Sequence, residues 1–147
     1  MPAAADPFDL QRFVDAQAGV WAAVAAELQA GAKRSHWMWF VFPQLAALGR
    51  SSTARRYGLA GLDEARAYAS HPLLGQRLRT ACGWLLQAPA GRSSLQILGA
   101  PDHLKLRSSM TLLAAAQPGE PLFGAVLARF DAGLPDPLTL QALQARP

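Results

Sequence analysis

Two short stretches of this chain put groups that can hold an anion or move a proton side by side. In the first, Lys33, Arg34, Ser35 and His36 run directly into Trp37-Met38-Trp39-Phe40-Val41-Phe42. Two cations, a hydroxyl and an imidazole next to two indoles suit an anionic or nucleotide ligand. The cations and N–H donors would take a phosphate, and Trp37 or Trp39 would stack on a base. A titratable ring beside cations also suits proton transfer, which makes His36 a candidate acid or base. The competing reading gives the same residues structural work: Ser35 caps a short helix, His36 is a satisfied and partly buried ring, and the tryptophans belong to the core.

In the second stretch Lys105, Ser108, Ser109 and Leu112 stand at i, i+3, i+4, i+7 and share one face of a helix. That spacing sets an ammonium within reach of two hydroxyls, which would hold a phosphate or let lysine activate a serine nucleophile. Ser109 is the candidate nucleophile and Ser108 a ligand contact. Serines are poor formers of a helix interior, so their presence asks for a reason. Close helix packing, with both hydroxyls bonded back to the preceding turn, supplies one without any ligand. Farther off, Arg50-Ser51-Ser52-Thr53 leads into Ala54-Arg55-Arg56-Tyr57, where hydroxyls at a helix start serve capping as readily as anion binding. Asp102 and His103 are adjacent, point in different directions on a helix, and make no acid–base pair. His71 before Pro72 reads as a helix-start residue. No Cys and His set has ligand spacing, which excludes a structural zinc site and argues against a catalytic metal. Neither a Gly-x-Gly-x-x-Gly nor a Gly-x-Ser-x-Gly pattern occurs. No metal or cofactor is expected.

The elements that must position these groups are helices. Asp6-Pro7 and Asp136-Pro137 each set a capping carboxylate before a proline at the first helical position. After the first, Leu10, Phe13, Val14 and Gln17 form a stripe that must face a core. Val20, Trp21, Val24, Ala25 and Leu28 mark a second helix, which Gly31 terminates. A short helix over 62–70 opens with Asp63 and Glu64 at its positive end. Pro72 starts the next, whose Leu74, Leu78, Ala81, Cys82 and Leu85 predict the central core helix. Asp102 is expected to cap the helix carrying Leu106, Met110 and Leu113. Leu122, Phe123, Val126, Leu127 and Phe130 mark another, closed by Gly133. Residues 37–42 favour a strand by type but lack a partner, and read as a short buried helix or irregular segment stopped at Pro43. Residues 49–53 and 89–94 read as loops. Residues 1–147 are therefore expected to form a single all-α domain, a compact bundle of about six to eight short helices without substantial sheet, with residues 1–5 as a flexible N-terminal tail.

Bulk properties narrow the function. With 147 residues, 51% hydrophobic and 16% charged, the chain can build one core, and its composition is opposite to that of a disordered segment. The net charge of +4 comes from basic residues scattered between Arg12 and Arg146, which weakens a nucleic-acid reading and leaves an anionic small molecule as the expected partner. Cys82 is the only cysteine, so no internal disulfide forms and a reducing compartment fits. Residues 1–10 carry no base, and the longest apolar run, residues 20–26, falls far short of the ~20 residues of a membrane span. The expected location is cytoplasmic, with no membrane partner.

Four strings of unusual specificity occur: Ser35-His36-Trp37-Met38-Trp39-Phe40-Val41-Phe42-Pro43-Gln44, Tyr57-Gly58, His71-Pro72-Leu73-Leu74-Gly75, and Lys105-Leu106-Arg107-Ser108-Ser109-Met110-Thr111-Leu112. Together they resemble a bacterial and fungal family numbered eighteen-ten among the domains of unknown function, some members of which carry the label calpastatin. The resemblance runs from residue 8 to about residue 140. It implies a compact, mainly helical domain and brings no established activity. Calpastatin-type inhibitors are extended and polar, whereas this chain is rich in apolar residues, which argues against that label.

Two functional expectations follow. The first is a small-molecule site, binding or enzymatic, for a phosphate-bearing ligand such as a nucleotide or an ADP-ribose derivative. His36 and Ser109 are its catalytic candidates, with Lys33, Arg34, Ser35, Trp37, Trp39, Gln44, Lys105 and Ser108 as ligand contacts in one shared cleft. The second is a protein-interaction module that uses the aromatic segment 37–42. Deep burial of Trp37 and Trp39 with His36 lining a concave pocket favours the first, and a flat exposed apolar patch the second.

Overall fold

A computed structural model describes residues 5–144, so the expected N-terminal tail lies outside the described residues except for the exposed Ala5. Helix α1 (Gln11–Ala18) buries Leu10, Phe13 and Gln17. The expected entry, with Asp6 as the cap and Pro7 first in the helix, is corrected: the cap position is Leu10, without a side-chain cap bond, and the Asp6 carboxylate accepts from the N–H groups of Leu10 and Gln11 at 2.8 and 2.9 Å from before the helix. The helix begins later than its proline implied, because residues 7–9 first form a turn. Helix α2 (Trp21–Ala30) buries Val24 and Leu28 and stops at Gly31, whose φ of 72° is the left-handed conformation that glycine adopts without steric cost.

The aromatic segment is one helical turn, α3 (Met38–Val41), with Trp37, Met38, Val41 and Phe42 sunk in the core. Its strand-like composition goes unused because no edge offers it a ladder. The one pairing among the described residues is an isolated bridge between Leu45 and Leu59. That bridge requires Gly58, where a Cβ would collide with the Ala46 backbone. Helix α4 (Ser52–Arg56) is capped by the Ser51 hydroxyl, which accepts from Ala54 N–H at 3.0 Å. Helix α5 (Leu62–Ser70) has the bounds read from sequence. In α6 (Leu74–Gln87), the whole stripe of Leu74, Leu78, Ala81, Cys82 and Leu85 is buried, and the His71 ring caps the start by accepting from Leu73 and Leu74 N–H. Helices α7 (Ser94–Leu98), α8 (Asp102–Ala116), α9 (Leu122–Asp131) and α10 (Pro137–Gln144) complete the chain.

The architecture is all-helical. The described residues hold ten α-helices and one 3-10 turn (Ala46–Leu48), against an expectation of six to eight. Seven of the helices follow the stripes and helix starts read from sequence; α3, expected as a short buried helix or irregular segment, and α4 and α7 have four or five residues each, too short to display a period. Helix α8 is the hub and packs against α5, α7, α9 and α10. A buried polar link fastens α1 to α3 and α5. The fully buried Gln17 amide donates to Phe40 carbonyl (2.7 Å) and Tyr68 hydroxyl (3.1 Å), and that hydroxyl donates to the same carbonyl. Among the described residues no helix is long and apolar enough to cross a membrane.

Candidate functional site

The site grows from one carboxylate in the last turns of α2. Glu27 accepts hydrogen bonds from the N–H groups of Arg34 (2.7 Å) and Ser35 (2.9 Å), the Ser35 hydroxyl (2.6 Å) and the Trp37 indole N–H (3.0 Å). Four donors on one acid fold residues 33–37 into a fixed turn after Gly31. Burial works to raise the Glu27 pKa, but the Ser35 hydroxyl, the two backbone N–H groups and the indole prevail and bring it to about 2. Sequence reading missed this residue. The one available signal was a lone acid in the otherwise neutral helix WAAVAAELQA.

From this pinned turn Lys33 reaches the first residue of α8. Its Nζ lies 2.8 Å from Asp102 Oδ2, and Lys105 Nζ lies 3.2 Å from Asp102 Oδ1. Each ammonium also rests over an indole, Lys33 at 5.1 Å from the Trp37 ring centre and Lys105 at 4.5 Å from that of Trp39. Side-chain exposure is 7% for Lys33, 17% for Asp102 and 22% for Lys105, so the knot is sunk at the surface. Burial pushes the Asp102 pKa up, yet the hydrogen bond and charge of Lys33, then those of Lys105, leave it lowered. Two ammoniums share one carboxylate, and the trio carries a surplus positive charge.

Asp102 was expected as a helix cap, and this is corrected. It stands inside the first turn of α8, makes no side-chain cap bond, and spends both oxygens on lysines. The predicted site residues separate accordingly. Lys33, Lys105 and Trp39 come together around this acid. Arg34 and His36 are exposed on the Glu27-pinned turn, so the satisfied and partly buried His36 ring does not occur. Ser35 is consumed by Glu27 rather than capping a helix. Trp37 is fully buried with its N–H on Glu27, and this removes it as a stacking wall. Trp39 is half-buried, has Lys105 over its ring, and keeps an Nε1 that is sealed from solvent without a hydrogen-bond partner among the described residues. Gln44 is half-buried, and its carbonyl accepts from Leu59 N–H at 2.8 Å in the isolated bridge.

The two serines do not join Lys105, because α10 and the core claim them. Ser108 Oγ donates to Asp136 Oδ2 (3.0 Å) and Leu104 carbonyl (3.3 Å), while Asp136 N–H donates to the Thr111 hydroxyl at 2.8 Å. Asp136 thereby caps α10 and docks it onto α8 at once. Ser109 is 0% exposed, with its Oγ unpartnered among the described residues. The lysine-activated serine is therefore not assembled: Ser108 turns to Asp136, and the Ser109 hydroxyl is shut away from solvent. Burial of Trp37, Met38, Val41 and Phe42 likewise denies a partner the flat aromatic surface that an interaction module needs.

Two hollows lie elsewhere. One of about 410 Å³ is lined by Phe8, Leu62, Asp63 and Leu143 among others, and one of about 260 Å³ by Leu28, Gln29, Trp84 and Gln87 among others. Neither includes a residue of the lysine knot. Among the described residues no three His, Cys, Asp or Glu side chains are grouped to hold a metal ion.

Among curated proteins, none matches this chain. The chain is similar in sequence and fold to the conserved hypothetical protein Rv1873 from Mycobacterium tuberculosis, known from a crystal structure. The two are 53% identical, with a TM-score of 0.92 over 95% of this chain and 99% of that one. Residues 7–143 match the family described as "Protein of unknown function (DUF1810)", and the chain belongs to that family.

Proposed function

We propose that the Lys33–Asp102–Lys105 knot is the anion-binding end of a small-molecule site for a phosphate-bearing ligand such as a nucleotide or an ADP-ribose derivative. One observation carries the reading. The chain has fourteen Lys and Arg residues, only two of them lysines, and those two converge from 72 residues apart onto a single acid at the surface. Lysine is a compact charge with three rotatable donors, and each ammonium gives one hydrogen bond or ion pair to Asp102, so donors remain for phosphate oxygens. The exposed Arg34, held on the same turn as Lys33, adds a third cation. His36 is exposed on that turn and is the group available for proton transfer if turnover occurs. Lys33, Arg34, His36, Trp39 and Lys105 constitute the site in this reading, without Trp37, Ser108 or Ser109.

The test is thermal unfolding with inorganic phosphate, AMP and ADP-ribose. A compound at about 100 times its Kd stabilises by roughly 2.7 kcal/mol, a shift of several degrees. The shift is expected in the wild type and absent from Lys33→Met and Lys105→Met, which keep the aliphatic stems. No shift with any compound, or a shift that survives in both variants, overturns the reading.

A further inference from the structure

We propose that the Trp39 indole N–H is a ligand-reading donor of this site, so that the ligand is an organic phosphate carrying a hydrogen-bond acceptor beyond its phosphate, such as a sugar oxygen, carbonyl or ring nitrogen. The inference rests on the lysine reading above and names the substrate class for it. Buried polar hydrogens almost always find a partner, and one that does not asks for an explanation. Two residues earlier in the same segment, the Trp37 N–H is satisfied by Glu27. Trp39 Nε1 is equally hidden and has no partner among the described residues, although its ring reaches the surface.

The charged group over that ring is Lys105, which has donors only and cannot accept from an N–H. The unmet need at the in-plane N–H is thus for an acceptor, which the cation over the ring face does not supply. Lys105 is also the side chain that a phosphate would engage. Its stem is long and flexible and its exposure of 22% leaves room to shift, so a phosphate that draws the ammonium aside uncovers the indole. An acceptor on the organic part of the same ligand then arrives beside Nε1. Inorganic phosphate would satisfy the lysines and leave the N–H unmet.

The experiment titrates the full chain with inorganic phosphate, ribose 5-phosphate and AMP while following the indole N–H resonances of its four tryptophans. The Trp39 resonance is assigned by its loss in Trp39→Phe. The expected result is a downfield shift of that resonance with ribose 5-phosphate or AMP but not with inorganic phosphate. The organic ligand should bind about tenfold more tightly, the margin that one hydrogen bond supplies. Trp39→Phe should lose that margin and keep its phosphate affinity. If it fails to fold, the wild-type resonance, assigned instead by its through-space contacts to the Lys105 side chain over the ring, decides alone. Phosphate binding abolished by Lys105→Met, with no organic preference and a Trp39 resonance blind to every ligand, overturns the N–H role and leaves the lysine site standing, with a trapped water as the partner. No binding of any compound, phosphate included, overturns both.

Discussion

Replacing Glu27 with glutamine tests whether one carboxylate holds the turn that carries Lys33. In the folded chain this acid sits at about 2 against an ordinary value of 4.5, a difference equivalent to at most ~3.4 kcal/mol between the charged and protonated forms. The group is only partly buried, so solvent screening reduces the usable part to about 1–2 kcal/mol. The folded value is the depressed one. The stabilisation is therefore complete above pH 4.5 and is lost as the pH falls toward 2. At pH 7 the amide introduced by Glu27→Gln would also turn a donor toward the Arg34 and Ser35 N–H groups, which need acceptors. Urea unfolding of both proteins, followed by tryptophan fluorescence from pH 7 to pH 2.5, measures the effect. The wild type should exceed Glu27→Gln by about 1–2 kcal/mol at pH 7, and the gap should close near pH 2.5. Other carboxylates held low, such as Asp6 and Asp102, are common to both proteins and cancel in the difference. A gap of the same size at both ends, or none at pH 7, would refute the assignment of the turn to this acid.

Two further outcomes are expected. Arg12 donates to the carbonyls of Phe8, Asp9, Arg56 and Gly58 and pairs at 2.8 Å with Glu64, whose side chain is 5% exposed. Arg12→Met leaves that acid buried without its cation and should lower the urea-unfolding free energy by about 3 kcal/mol; a loss below about 1 kcal/mol would show that Ala60 N–H suffices for Glu64. Cys82 is fully buried and burial pushes its thiol well above the ordinary range, so a thiol reagent should label the native chain no faster than the chain unfolds. Labelling that outpaces unfolding, measured on the same sample, contradicts the packing of α6.

Local signals carried the fold, because caps and burial stripes are written within one or two helical turns. Asp136 before Pro137, Gly31 after α2, the bounds of α5 and the buried face of α6 were all legible from neighbouring residues alone. The single-turn helices α3, α4 and α7 were not legible as helices by any period, since four or five residues do not repeat one. At the site, Lys33, Lys105 and Trp39 were visible as residues able to hold an anion, but their common partner was not. Asp102 lies 69 positions from Lys33, and only the docking of the Glu27-pinned turn against the start of α8 brings the two within 2.8 Å. The same docking logic removed Ser108, which shares the helical face of Lys105 by spacing yet turns to Asp136 because α10 packs there. Spacing along a helix fixes which side chains are neighbours on one element. Which of them meet an ion, a hydroxyl or the core is decided by the element laid across it, and that depends on contacts between residues far apart in sequence.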